Sequence, residues 1–277
     1  MAKTYFEVLK RASSFLKELG KDDYAPYYLL FERKGWNKTD WLLHMKDEIP
    51  DVEEAQIHAD LNSLQQDYPP QYLLGYSEFY GHRFVVSEDT LIPRPETEEL
   101  VEYCLNENLQ NKLTVVDVGT GTGAIAISLK LARPDWQITA VDLSKEALAV
   151  AAQNSEALAA SIELVLGDGL APVLNKEIDI LISNPPYISL TEWQLMDQSV
   201  KKYEPKQALF AEDDGLAIYK QLVKEAANCL KPAGKIYFEI GFQQGAAVKA
   251  LIQEKFPNKQ VRVEKDLSGN DRMVIAE

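Results

Sequence analysis

Cysteine and histidine are scarce in this sequence. Cys104 and Cys229 are the only cysteines among the 277 residues, and they lie far apart in segments with a helical pattern. Buried, reduced thiols are therefore expected rather than a disulfide. The histidines, His44, His58 and His82, are scattered along the chain. A metal site has little support, because the sequence contains no cluster of suitable ligands.

Long apolar runs and an excess of positive charge are also missing. No stretch approaches the roughly 20 apolar residues of a membrane-spanning helix, and the first residues lack the apolar core of a signal peptide. We therefore expect a cytoplasmic protein that does not bind a membrane. The formal net charge is −14. This charge argues against broad electrostatic binding of nucleic acid, which needs clustered Lys and Arg.

Residues 1–75 have a helical pattern throughout. Apolar side chains recur at helical spacing before Gly20. Further helical segments follow Pro26 and Pro50, and Thr39 is a plausible N-cap between them. The sequence therefore predicts a small helical bundle with its aromatic residues in the core. Residues 76–95 have the pattern of a short hairpin followed by a proline-rich connector.

Residues 96–277 alternate between helical and strand patterns. The apolar segments with strand character include 113–118, 137–141, 162–166, 178–183 and 235–240. One of the helices between strands is expected from Asp214 to Leu230. This alternation predicts an α/β domain with a mainly parallel sheet covered by helices on both faces. The last two strands have no helix between them, which indicates an antiparallel hairpin at one edge.

Asn184-Pro185-Pro186-Tyr187 directly follows the fourth strand segment. Consecutive prolines cannot continue a hydrogen-bonded ladder, so the chain must leave the sheet in a rigid turn at the edge where open α/β sheets bind ligands. The Asn184 side-chain oxygen and the proline carbonyls can accept both N–H bonds of a planar NH2 group. Tyr187 can stack on the face of that group. The alternative is a strand-terminating turn with a tyrosine in the core.

A glycine-rich turn, Gly119-Thr120-Gly121-Thr122-Gly123, follows the first strand. Glycines there permit a tight turn and a close approach of a ligand to the backbone. Asp142 ends the second strand, where a carboxylate can accept hydrogen bonds from ribose hydroxyls. These features suit an adenosine-containing cofactor, either NAD or S-adenosylmethionine. Asp168 and Gly169 follow the third strand, where a carboxylate could contact an adenine amino group. An amide-binding turn favours methyl transfer over hydride transfer.

Several motifs together resemble the S-adenosylmethionine-dependent methyltransferases that modify amide or exocyclic amino nitrogens. From about residue 68 to the C-terminus, the chain resembles more closely the peptide chain release factor glutamine methyltransferases, the PrmC or HemK family. Besides 184–187, the segments that carry this resemblance are 71–75, 79–81, 90–98, 204–205, 214–216, 239–241 and 269–272. The resemblance implies a Rossmann-like class I methyltransferase fold with an N-terminal helical domain that recognises the substrate.

The resemblance also implies a reaction. The substrate would be the glutamine of the Gly-Gly-Gln motif in class 1 release factors, and S-adenosyl-L-homocysteine would be a product. Residues 119–123 would line the methionine part of the cofactor, Asp142 would hold the ribose, and Asp168 and Gly169 would lie beside the adenine. The target glutamine would be held by Asn184, Pro185, Pro186 and Tyr187, and Asn184, Pro185 and Tyr187 would be catalytic.

Other interpretations remain open from the sequence. The same turn could hold adenine, as in a DNA methyltransferase acting on adenine amino groups, although such an enzyme should carry a basic target-recognition region. An NAD-binding oxidoreductase is a further possibility. Arg94 and Glu96 would either form an ion pair that stabilises the connector or shape the lid of the cofactor pocket. We expect a monomer that makes no direct contact with nucleic acid.

Overall fold

A computed structural model describes residues 3–277 of the chain. The chain divides into two compact units. The first unit runs up to Tyr76 and includes Asp197–Tyr203, and the second comprises Ser77–Met196 and Glu204–Glu277. Among the described residues, no helix is long and apolar enough to cross a bilayer.

The first unit is helical. Its successive helices are α1 (Tyr5–Glu18), α2 (Ala25–Lys34), α3 (Lys38–His44), α4 (Asp51–Leu64) and α5 (Pro70–Leu74). A capping box starts α1, since Thr4 accepts from the Glu7 backbone N–H and the Glu7 carboxylate accepts from that of Thr4. Leu9 and Leu16 of α1 are fully buried and belong to the apolar clusters that hold these helices together.

Thr39 is not the N-cap of α3 that its position predicts. The cap is Asn37, whose side-chain oxygen accepts from the backbone N–H groups of Thr39 and Asp40 at 2.7 and 3.1 Å. The Asp40 carboxylate accepts in turn from the Asn37 backbone N–H at 2.9 Å. The prediction is wrong because a reciprocal pair two residues upstream satisfies the first N–H groups of the helix.

The chain forms two sheets, whose residues all lie in the second unit except Tyr76, the first residue of β1. The strands are β1 (Tyr76–Phe79), β2 (His82–Val85), β3 (Thr114–Val118), β4 (Gln137–Asp142), β5 (Glu163–Leu166), β6 (Ile178–Ser183), β7 (Leu230–Glu239), β8 (Val261–Lys265) and β9 (Asp271–Ala276). β1 and β2 form a hairpin, and the larger sheet has the order β5-β4-β3-β6-β7-β9-β8. Its first five strands are parallel, whereas β9 is antiparallel to both neighbours. The predicted mainly parallel sheet with an antiparallel edge hairpin is confirmed.

Helices cover both faces of the larger sheet. The remaining helices are α6 (Pro95–Glu107), α7 (Ala124–Ala132), α8 (Lys145–Ala157), α9 (Leu190–Leu195), α10 (Gln198–Tyr203), α11 (Ala217–Ala226) and α12 (Gly245–Lys255), of which α10 belongs to the first unit. Short 3-10 helices span Ala171–Val173 and Lys206–Ala208. Val115 and Val116 of β3 are both fully buried but belong to different apolar clusters. Successive side chains of a strand point to opposite faces, so the sheet has a core on each side.

The start of α11 differs from the prediction. The helix begins at Ala217 rather than at Asp214. Asp213, Asp214 and Gly215 have φ angles of 58°, 51° and 81°, in the left-handed region. A right-handed helix cannot include such residues. The expected end at Leu230 is also wrong, because Leu230 starts β7.

The order of the strands determines where a ligand can bind. The chain runs outward from β3 through β4 to β5, and then returns to the other side of β3 with β6. The direction of winding therefore reverses between β3 and β6. Crevices at the carboxyl ends of strands at such a reversal are the usual ligand sites of open α/β sheets. The glycine turn after β3 and the Asn184–Tyr187 turn after β6 both lie at this edge.

Candidate active site

A cavity of about 300 Å³ lies at the carboxyl ends of β3, β4, β5 and β6. Seven of the predicted site residues line this cavity: Gly119, Gly121, Asp142, Asp168, Gly169, Asn184 and Pro186. The other predicted site residues do not line the cavity: Thr120, Thr122 and Pro185 are buried, Gly123 is the N-cap of α7, and Tyr187 packs against an apolar cluster. The structure therefore brings residues from four separate loops to one cavity. Among residues 3–277, no group of His, Cys, Asp and Glu side chains could hold a metal ion.

The glycines of the turn have different surroundings. Gly119, Gly121 and Gly123 all have positive φ angles, of 73°, 54° and 81°. A Cβ at Gly119 or Gly121 would meet no protein atom within 4 Å, whereas one at Gly123 would lie 2.8 Å from the Ile127 side chain. The first two glycines therefore leave room for a ligand against the backbone, and the third permits close packing of α7.

Asp142 holds the glycine turn in place. Its carboxylate accepts from the backbone N–H groups of Gly121 and Ser144 at 2.8 and 2.9 Å. Ser144 caps α8, with its hydroxyl accepting from the Ala147 backbone N–H at 3.0 Å. The side-chain cap of α8 is therefore Ser144 rather than Asp142. Burial raises the pKa of Asp142, and the backbone hydrogen bonds oppose this effect.

The wall beside Asp168 comes partly from α11. Gln221 also lines the cavity, and its amide donates to Asp168 Oδ1 at 3.0 Å. Glu225, one turn further along α11, accepts from the Leu170 backbone N–H at 2.6 Å. Gln221 was not predicted as a site residue, because no motif surrounds it and only the fold brings it to Asp168.

The Asn184–Tyr187 turn is held from behind by side chains of α6, of β7 and of the N-cap of α12. Asn184 Nδ2 donates to Thr97 Oγ1 at 3.0 Å, and the Tyr187 hydroxyl donates to Glu239 Oε1 at 3.3 Å. The Tyr187 carbonyl accepts from the Gln244 amide at 3.0 Å. Tyr187 is half-buried and packs against the apolar cluster that contains Phe238. Burial raises the pKa of the Tyr187 phenol well above its ordinary value.

Arg94 of the connector forms an ion pair, but its partner is Glu204 rather than Glu96. Its guanidinium lies 2.5 Å from Glu204 Oε1, and Glu204 Oε2 accepts from the Ile92 backbone N–H at 3.1 Å. The Glu204 side chain is only 1% exposed. Thr90 and Leu91 line the cavity. The ion pair therefore holds the segment that forms one wall of the cavity.

Asp117, at the carboxyl half of β3, is a buried acid that was not predicted as a site residue. It is fully buried, and its Oδ2 accepts from the Thr120 hydroxyl at 2.6 Å. Burial raises the pKa of Asp117 from 3.8 to about 7, and nearby Asp142 contributes to the increase. The carboxyl group therefore holds Thr120 of the glycine turn, while its burial disfavours its ionised form.

We expect Asp117→Asn to weaken the pH dependence of stability. Between about pH 4 and pH 7, the folded protein keeps a proton on Asp117 that the unfolded chain has released. This contribution to the free energy of unfolding is therefore present at low pH and is lost as the pH rises through that range. Urea unfolding should show a fall of roughly 4 kcal/mol from this group in the wild type, and no such contribution in the variant.

The exposed Asp135 provides the matched control for this substitution. Asp135→Asn should leave the pH slope of the wild type unchanged. Equal slopes for Asp117→Asn and the wild type would contradict the effect assigned to burial.

Two family models match the chain. The Methyltransferase small domain matches residues 97–206, and the PrmC N-terminal domain matches residues 7–75. The release factor glutamine methyltransferase of Enterococcus faecalis is 64% identical over 277 residues, covering 100% of both chains. The chain belongs to the release factor glutamine methyltransferase family. The protein of the same name from Bacillus subtilis is 41% identical, over 99% of this chain and 98% of that one.

Solved structures agree with the fold. A methyltransferase from Pyrococcus furiosus gives a TM-score of 0.52 at 19% identity, over 81% of this chain and 98% of that one. The 16S rRNA N2 G1207 methyltransferase of T. thermophilus, in complex with AdoMet and guanosine, gives 0.51 at 19% identity, over 73% of this chain and 49% of that one. At such identities the likeness concerns the fold alone.

Family membership confirms the resemblance found in the sequence and the Rossmann-like methyltransferase fold. It also decides between the two enzyme classes that the glycine turn left open. The protein is a methyltransferase rather than an NAD-binding oxidoreductase. The predicted burial of Cys104 and Cys229 as free thiols is confirmed as well.

Proposed function

We propose that this enzyme transfers a methyl group from S-adenosylmethionine to the side-chain amide nitrogen of the glutamine in the Gly-Gly-Gln motif of class 1 release factors. The observation that carries the proposal is the position of Asn184, which lines the cavity while its amide nitrogen is bound to Thr97. The Asn184 oxygen is then available to a substrate NH2 group. Two full-length relatives that bear the name release factor glutamine methyltransferase support the choice of substrate.

The residues around the cavity fit S-adenosylmethionine. Gly119 and Gly121 leave open space beside the backbone, so the turn of residues 119–123 would line the methionine part through these two glycines. Asp142 would accept hydrogen bonds from the ribose hydroxyls, and Asp168 and Gly169 would lie beside the adenine, with Asp168 accepting from its amino group. When bound, the cofactor would supply a methyl group on a sulfonium whose thioether is a good leaving group, so that the N–C bond formed on the substrate is balanced by the S–C bond broken.

The protein's own contribution is orientation. The amide nitrogen of glutamine is a poor nucleophile, because its lone pair is delocalised into the carbonyl. Asn184 Oδ1 and the Pro185 carbonyl would accept its two N–H bonds and aim the nitrogen at the methyl carbon, and one of these protons is lost on transfer. Pro186 lines the cavity beside them, and Tyr187 would pack on the amide plane and exclude water. Such orientation can supply roughly 7–11 kcal/mol of the barrier reduction.

The helical domain is the proposed partner-recognition element. We assign residues 1–75 to binding of the release factor, residues 76–95 to the connector, and residues 96–277 to catalysis. The enzyme would act in the cytoplasm as a monomer, without touching nucleic acid directly. The match of the PrmC N-terminal domain to residues 7–75 supports a separate role for this part of the chain.

The Asn184–Tyr187 turn would also suit a DNA adenine methyltransferase. An assay with labelled cofactor distinguishes methylation of a release factor from methylation of DNA. Purified enzyme is offered S-adenosylmethionine with a tritiated methyl group together with either a class 1 release factor or adenine-containing DNA. We expect label in the release factor and none in DNA. Label in DNA without label in the release factor would overturn the proposed substrate.

A further inference from the structure

The side chains of Glu239, Thr97 and Asn184 form a series of two hydrogen bonds behind the Asn184–Tyr187 turn. The Thr97 hydroxyl on α6 lies 2.6 Å from Glu239 Oε2 at the end of β7. The same hydroxyl oxygen lies 3.0 Å from Asn184 Nδ2. Thr97 and Glu239 are only 5% and 2% exposed. Water therefore competes little for these bonds, and the series must satisfy its own donors and acceptors.

The number of protons in this series determines which way the Asn184 amide faces. Thr97 has a single hydroxyl proton, and an ionised Glu239 can only accept. The Thr97 proton must then point to Glu239, which leaves the Thr97 oxygen as an acceptor for Asn184. If the amide were reversed, the Asn184 oxygen and the Glu239 carboxylate would both need a proton from Thr97. Thr97 has only one, so one of these two oxygens would face the Thr97 oxygen without a hydrogen bond. The amide nitrogen therefore faces Thr97, and Asn184 Oδ1 faces the cavity.

Other polar groups also surround the Glu239 carboxyl. The Tyr187 hydroxyl donates to its second oxygen, Arg272 is the nearby cation, and Glu96 is a nearby anion. The Tyr219 hydroxyl donates to the Glu239 backbone carbonyl at 2.7 Å. Burial raises the pKa of Glu239 to about 7, with the Thr97 bond, Arg272 and the Tyr187 bond opposing this effect and Glu96 adding to it. Ionised Glu239 thus binds Thr97 and Tyr187 together.

We propose that Thr97 and Glu239 are positioning residues that hold the Asn184 amide with its oxygen towards the cavity. The inference rests on the proposed function, in which this oxygen accepts from the target glutamine. Neither residue touches the substrate in this arrangement. Both act through Asn184, so their loss should affect the rate of transfer and leave cofactor binding intact.

Thr97→Val is the direct test, because valine keeps the shape of threonine and removes the hydroxyl. We expect kcat for release factor methylation to fall roughly thirtyfold, with the affinity for S-adenosylhomocysteine within about twofold. Thr97→Ser should restore kcat to within about threefold, since it returns the hydroxyl. Thr139→Val is the matched control, because Thr139 is also buried and donates to a glutamate, Glu163, at 2.9 Å. It should retain the wild-type kcat.

The pH profile separates positioning from general stability. Below about pH 7 the Glu239 carboxyl keeps its own proton, and Thr97 is then free to donate to Asn184, so the amide can turn over. Wild-type kcat should therefore fall as the pH drops through this range. Thr97→Val should lack this dependence, because it breaks the link between Glu239 and Asn184. A wild-type kcat and an unchanged acid limb in Thr97→Val would overturn the inference.

A spectroscopic measurement keeps the test independent of the substrate. The side-chain NH2 resonances of Asn184, assigned by their loss in Asn184→Ala, should be protected from exchange in the wild type above about pH 7. They should exchange at least about tenfold faster in Thr97→Val, because the acceptor is gone. Equal exchange rates would overturn the inference even if no methylation is found. Wild-type enzyme that methylates no release factor would instead refute the proposed function.

Discussion

Asn184→Ala should lower the rate of methyl transfer to a release factor by at least about a hundredfold. The substitution removes the side-chain oxygen that would hold the target NH2 group, while the Pro185 carbonyl remains. It also removes the donor to Thr97, but it leaves the glycine turn and the Asp142 hydrogen bonds unaltered. The affinity for S-adenosylhomocysteine should therefore stay within about threefold of the wild type, since only substrate orientation is lost.

Single-turnover kinetics and titration calorimetry measure these two quantities separately. Asn228→Ala is the control, because Asn228 is exposed and lies just before β7, at the opposite end of that strand from Glu239. It should behave as the wild type does. Unchanged turnover in Asn184→Ala would refute the amide-holding role of this side chain.

Asp142→Asn, unlike Asn184→Ala, should lower the affinity for the cofactor. The Asp142 carboxylate accepts from two backbone N–H groups, those of Gly121 and Ser144. An asparagine can accept with only one oxygen, so its NH2 group would face one of these donors. The ribose hydroxyls would also lose a charged acceptor. We expect the dissociation constant of S-adenosylhomocysteine to rise roughly tenfold to a hundredfold, as for the loss of one or two hydrogen bonds to a charged group.

Calorimetry is the appropriate measurement, and it should be made well above the ordinary pKa of an aspartate, because burial raises the pKa of Asp142. Asp179→Asn is the matched control. Asp179 also accepts from a backbone N–H, that of Thr114, and from Lys231, but it lies at the opposite end of the sheet. An equal loss of affinity in both variants, or in neither, would be inconsistent with a specific role for Asp142.

The fold of the second unit follows from local patterns. The apolar segments predict β3, β4, β6 and the second half of β7, because strands that are buried on both faces consist almost entirely of apolar residues. The edge strand β5 is partly exposed but has the same apolar pattern. The predictions were wrong where competing local chemistry decided the boundary. Asn37 displaced Thr39 as a cap through its pairing with Asp40, and the left-handed conformation around Asp214 delayed the start of α11.

The candidate site was predictable only in part. Turns after parallel strands are recognisable in the sequence, and they meet at one edge whenever the sheet forms. The supporting residues were not predictable from local patterns. Thr97 and Glu239 lie far from Asn184 in the chain, and Gln221 lies far from Asp168. Only the packing of α6, β7 and α11 brings these side chains to the turns.

Mass spectrometry of the release factor is the most direct test of the proposed function. A class 1 release factor is incubated with S-adenosylmethionine and either the wild-type enzyme or Asn184→Ala, and the peptide that contains Gly-Gly-Gln is then fragmented. We expect the mass of one methyl group on the glutamine side chain with the wild type, and the unmodified peptide with the variant. An unmodified peptide with the wild type, or a methyl group on another residue, would contradict the proposal.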